Sequence, residues 1–197
     1  MVSKKEGMIM SNSTFSKKKA TTVGVVMVVL IVLCVMSNVY LLTNPSTART
    51  VARVGTVLNL IALAFASAYC ISGYRKDDSI MYRGFLLFYA LHLLTGTYGM
   101  VVDFKGSVMA AAWVLAFEIT FANMLMLCVP DDLGKKKSTV IAAENGLIWL
   151  GFLIHHFLFK SHTIGIYTIR IVSYLLSAVI LSILIYARYT RTDDIRK

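Results

Sequence analysis

SVMAAAWVLAFEITFANMLMLCV, residues 107–129, is an almost unbroken apolar run with one carboxylate, Glu118, at its middle. A helix needs about 20 predominantly apolar residues to cross the hydrocarbon core of a bilayer, and this run is long enough. An ionised side chain at the centre of such a helix costs about 2.5–3.5 kcal/mol on insertion scales. The fold therefore turns on what surrounds the run. Glu118 is expected to face protein or a wet cavity rather than acyl chains.

The rest of the chain is of the same kind. Of 197 residues, 57% are hydrophobic and only 15% charged, and the mean hydropathy is +0.71. So few charges cannot cover a water-facing surface, which makes lipid the expected solvent. Five further segments resemble 107–129, and together they predict an all-α, polytopic membrane bundle of six transmembrane helices at 21–43, 52–73, 82–102, 107–129, 139–159 and 163–187. The separators TNPSTAR, GYRKDDS, DFKG, PDDLGKKKS and KSH are short, and both prolines, Pro45 and Pro130, fall within them. No span is interrupted by proline, so each can run as a continuous helix. SKKKATT before the first span does not make a cleaved leader, because the apolar stretch that follows exceeds an h-region and ends without a small-residue cleavage site.

Charge placement predicts the orientation. With the N-terminus inside, the cytoplasmic segments hold Lys4, Lys5, Lys17, Lys18, Lys19, Arg75, Lys76, Arg83, Lys135, Lys136, Lys137, Arg188, Arg191, Arg196 and Lys197. The outer side holds Arg49, Arg53, Lys105 and Lys160, and Arg170 lies within a span. Fifteen against four predicts cytoplasmic N- and C-termini. Residues 1–20 read as a polar, disordered cytoplasmic tail and 188–197 as a short cytoplasmic tail. The net charge of +10 sits in clusters between apolar runs, without the basic stripe and interleaved aromatics of a nucleic-acid surface. A bacterial plasma membrane is the expected location, with the bilayer as the first partner.

Polar residues at membrane depth are the candidate site. In the third span His92, Gly96, Gly99 and Asp103 fall within about 40° of one line, a surface that suits either a cavity wall or a close helix contact. Because DFKG is a tight turn, spans three and four are expected to be neighbours. Counted outward from that turn, His92 and Glu118 lie at depths within about one helical turn of each other, so a hydrogen-bonded His92–Glu118 pair is geometrically reasonable. Arg170 is the second candidate partner, about 6 Å offset in depth. Asn59 lies on a small-residue face with Gly55, Ala62, Ala66 and Cys70, and His156 shares a face with Asn145 and Trp149.

These residues favour binding or transport of a small polar solute through an outward-facing cavity lined by His92, Asp103, Glu118, Asn59, His156 and Arg170. The chain would then be the substrate-binding subunit of a larger transporter, with a separate membrane or cytoplasmic partner. Six spans with both ends inside resemble, in architecture alone, the vitamin-capturing subunits of some bacterial importers. The alternative is a non-transporting sensor or assembly subunit whose buried polar residues are structural.

No enzyme is expected. G-x-S-x-G, H-E-x-x-H and a glycine-rich phosphate loop are all absent from the sequence. Neither metal nor cofactor is called for. His155 and His156 point about 100° apart on a helix and cannot easily share an ion. Cys34, Cys70 and Cys128 read as small buried thiols.

Overall fold

The structure, a computed structural model, describes residues 3–44, 50–74, 79–103, 108–128, 135–159 and 165–195. It is all-helical: α1 (Ser3–Thr43), α2 (Thr50–Ile71), α3 (Ser79–Asp103), α4 (Val108–Cys128), α5 (Lys135–Phe159) and α6 (Ile166–Ile195). The stretches around Pro45 and Pro130, and the DFKG and KSH turns, lie outside the described residues.

Five of these helices are long and apolar enough to cross a membrane. In α3, 25 residues long, Tyr82, Arg83, Tyr89, His92, Thr95 and Thr97 dilute the apolar content. The surface has the polarity expected in lipid. Val28, Val32, Met36, Leu87, Leu94, Leu115 and Leu147 are all exposed, while Asn38, Asn59, Thr120, Asn145 and Ser177 are fully buried. A water-soluble domain does not leave apolar side chains outside at that density.

Several hydroxyls within the helices are satisfied by their own helix. Thr56 donates to Ala52 O at 2.8 Å, Ser67 to Leu63 O at 2.8 Å and Thr120 to Ala116 O at 2.7 Å. Back-bonding to the carbonyl one turn earlier lets serine and threonine sit in a span at little cost.

Around the bundle the helices follow the order α4, α3, α2, α1, α6, α5. The interface of α2 with α3 is the most extensive, and the ring closes more thinly between α5 and α4. Side-chain size accounts for the difference. Gly55, Asn59, Ala62 and Ala66 on α2 are small and buried. Opposite them, Gly84 of α3 has no side chain where the Phe65 ring lies. Phe65 in turn stacks on Phe88 at 5.5 Å. Small residues let these backbones approach closely. At the α4–α5 seam, Trp113, Phe117, Trp149 and Phe152 fill the space instead and hold the backbones apart.

The end of α2 is built from its own sequence. Gly73 N–H donates to Cys70 O and Tyr74 N–H to Tyr69 O, each at 3.0 Å, and Gly73 has φ 73°. This is the paired-bond helix stop that glycine permits. Tyr74 also takes a positive φ, 60°. It is held there by an edge contact with Tyr69 and by the Cys70 thiol, 3.1 Å from its hydroxyl.

The helix ends depart from expectation at both termini. α1 begins at Ser3, within the segment read as a disordered tail, and α6 continues to Ile195, past the expected end at 187. Neither stretch contains proline, and once a long apolar helix exists each added residue contributes a hydrogen bond with no new nucleation cost.

Candidate functional site

Two polar constellations occupy the interior. The first joins α1, α2 and α6. Asn59 Nδ2 donates to Asn38 Oδ1 at 3.2 Å and to Ser173 Oγ at 3.3 Å. Ser177 Oγ donates to Asn59 Oδ1 at 3.2 Å. Asn38 Nδ2 donates to Ser173 Oγ at 3.0 Å and to Cys34 O at 2.7 Å, and Cys34 Sγ lies 3.3 Å from Ser177 Oγ. Every one of these residues is buried. Three helices are thus tied by a cluster whose members satisfy one another, which is what a low-dielectric interior demands of polar groups.

The second constellation is aromatic and runs from α3 through α6 to α5. The His92 ring stacks on Tyr174 with centroids 4.6 Å apart, and Tyr174 stacks on Trp149 at the same 4.6 Å. Phe117 of α4 meets Tyr174 and Trp149 edge-on at 4.9 and 4.8 Å. Gly96 makes the approach possible, since any β-carbon there would meet the Tyr174 hydroxyl and lie 2.6 Å from the Phe117 ring. At this level the bare stripe on α3 is a close helix contact. At Gly99 a β-carbon would meet nothing within 4 Å.

His92 is oriented by α2. Its Nδ1 lies 2.7 Å from Gly55 O. A carbonyl can only accept, so Nδ1 carries the proton, and in the neutral ring Nε2 presents a lone pair. That Nε2 is buried and has no hydrogen-bond partner among the described residues. Two donors on the inward face of α5 share the condition, Trp149 Nε1 and Asn145 Nδ2. Only the Asn145 oxygen is engaged, accepting from Asn123 Nδ2 at 3.4 Å. One acceptor and two donors around the aromatic stack could hold a molecule that supplies the complementary groups.

The expected lining residues separate. His92 and Asn59 are both buried and both face the Gly55 side of α2, His92 through its bond to Gly55 and Asn59 one turn further along that helix. Arg170 is half-buried on α6, one turn before Tyr174. Side chains of Asp103 and His156 lie outside the described residues.

Glu118 is exposed. It lies about 150° around α4 from the centre of the buried arc formed by Trp113, Ala116, Phe117, Thr120, Met124 and Leu127. Among the described contacts none joins it to His92 or Arg170, so the expected His92–Glu118 pair does not form. The aromatic pair Trp113 and Phe117 claims the inward face of α4, and the acid is turned outward.

Ser173 and Phe117 were not singled out by sequence reasoning. Ser173 could have been found as a small polar residue one position before Tyr174 in an apolar helix. Phe117 carries no such signal. All three cysteines are free; Cys34 is buried, whereas Cys70 and Cys128 are partly exposed. Among the described residues no group of three potential metal ligands occurs. Comparison with family models, with curated proteins and with solved structures gives no match.

Proposed function

We propose that the chain is a six-span plasma-membrane protein, both termini cytoplasmic, that binds a small neutral polar solute between α3, α5 and α6. The sixth span is α3. Orientation is supported by the fifteen-to-four distribution of basic residues. One observation carries the binding reading: among the described residues, His92 Nε2, Asn145 Nδ2 and Trp149 Nε1 are buried without partners, whereas the neighbouring Cys34–Asn38–Asn59 cluster is bonded throughout. Buried polar groups left open beside a closed network are what a ligand site requires before it is filled.

The solute would donate to His92, accept from Asn145 and Trp149, and lie against the Tyr174–Trp149 stack. Arg170 would flank the way in from the outer side. Asn59 supports the site from the polar cluster behind it, and Glu118 takes no part. An importer subunit that hands its solute to an energising partner fits these features.

The two tryptophans of the chain, Trp113 and Trp149, both lie in the aromatic assembly, so intrinsic fluorescence reports on the site directly. Titration of the protein in lipid nanodiscs with nucleobases, vitamins, amides and polyols should give a saturable change for one class. His92→Phe should abolish that change without altering the unliganded spectrum.

The closed cluster favours a second reading, a non-transporting sensor or assembly subunit whose polar residues only lock the helices. Under that reading no solute gives a saturable response, and His92→Phe lowers stability alone.

A further inference from the structure

Glu118 stands apart from both constellations. It lies ten residues from each end of α4 (Val108–Cys128), the furthest point from water on either side. The strip around it is otherwise apolar and exposed: Ala111, Leu115, Ala122 and Leu125 fall with it within about 40° of one line on the outer face. Phe117, which meets Tyr174 of α6, lies on the buried side of α4 and Glu118 on its exposed side, so Glu118 points away from α6 and Arg170.

We propose that the outer face of α4 docks a transmembrane helix of another protein that carries a lysine or arginine level with Glu118. A carboxylate among acyl chains has neither hydrogen-bond donors nor counter-charge, and a cationic side chain on a neighbouring helix supplies both. Ala122, one turn inward of Glu118, and Ala111, two turns outward, leave room for a second backbone on the same strip. A second copy of this chain fits poorly. Two-fold contact through this face would set one Glu118 patch against another, acid against acid. The partner is therefore of opposite charge at this depth, as a subunit in a hetero-oligomeric membrane complex would be.

The test uses the full chain in nanodiscs with leucine-rich transmembrane peptides, free of tryptophan, that carry a dansyl group. One peptide has lysine at its midpoint and the other leucine. Energy transfer from Trp113 and Trp149 to dansyl measures association. The lysine peptide should bind about tenfold more tightly than the leucine peptide, the scale of one interhelical polar contact. Glu118→Leu should bring the ratio to about one, while Glu144→Gln, at an exposed acid of α5, should leave it unchanged. An unaltered tryptophan spectrum shows that the Glu118→Leu bundle is folded. If it does not fold, Glu118→Gln, which keeps the size and removes the charge, should lower the ratio severalfold. Equal binding of the two peptides overturns the proposal, as does a preference that survives loss of the acid. Self-association of the chain that depends on Glu118 overturns it too, by making the occupant a second copy.

Discussion

Replacing Asn59 with alanine should loosen the bundle more than any other single change in its polar interior. Beside a long contact to the Cys34 thiol at 4.0 Å, the side chain makes three hydrogen bonds with oxygens on other helices: to Asn38 on α1, to Ser173 on α6, and from Ser177 on α6. Between membrane helices such bonds average about 0.6 kcal/mol each, which gives about 2 kcal/mol for the set. The groups left behind decide the remainder. Ser173 Oγ keeps its bond from Asn38, and Ser177 Oγ can turn to Cys34 Sγ, 3.3 Å away. Asn38 Oδ1 has no such recourse and becomes a buried, unpaired acceptor, costing about 1 kcal/mol more. Asn59→Ala should therefore destabilise by about 3 kcal/mol, about two orders of magnitude in the unfolding constant.

Unfolding by sodium dodecyl sulfate in mixed micelles, followed by tryptophan fluorescence, measures the change. Ser177→Ala is the comparison: it loses one bond to Asn59 and leaves Asn59 Oδ1 a buried, unpaired acceptor, so it should cost about 1.5 kcal/mol, about half of Asn59→Ala. A double-mutant cycle with Ser173→Ala should return a coupling of about 0.6 kcal/mol for the single shared bond. Asn59→Ala costing less than about 0.5 kcal/mol, or a cycle with no coupling, would refute the view that the cluster locks α1, α2 and α6 together.

Four other substitutions, one of them a control, test three separate features. Gly96→Ala drives a β-carbon into the Tyr174 hydroxyl and the Phe117 ring and should cost about 1–3 kcal/mol by overpacking, with a shifted Trp149 emission; Gly99→Ala, where the same atom meets nothing within 4 Å, should be neutral in the same assay. Gly73→Ala should cost about 1 kcal/mol in thermal denaturation, because φ 73° is open to glycine and strained for alanine. Tyr82→Leu removes the ring 4.3 Å beneath the Arg188 guanidinium and should lower stability by about 0.5–2 kcal/mol; retention of full stability would show that the stacked arginine contributes packing without electrostatic gain.

How far the sequence reveals this molecule follows from what apolar patterning can and cannot encode. Helix positions are legible because a long apolar run is bounded by polar separators, and helices α2 to α5 fall within a few residues of their expected bounds. Polar depth can be counted from the sequence in the same way, since each residue adds a fixed rise along its helix. Rotation about the helix axis is another matter. In water, the buried face of a helix is its apolar face. α4 is apolar on every side, so its composition says nothing of which way it turns, and Glu118 looked like the inward mark because charge usually avoids lipid. The facing surfaces decided otherwise. Gly96 leaves a hollow in α3 that Phe117 fills, and the indoles of Trp113 and Trp149 meet at 6.2 Å, so aromatic packing sets the azimuth and the acid goes where that packing leaves it. Where small residues face each other instead, as along Gly55, Asn59, Ala62 and Ala66 of α2, the inward face was readable directly, since in lipid close backbone approach is what small side chains are for. A charged residue in a uniformly apolar span therefore marks a requirement for a partner. Whether that partner comes from the same chain depends on the shapes around it, and in α4 those shapes turn the requirement outward.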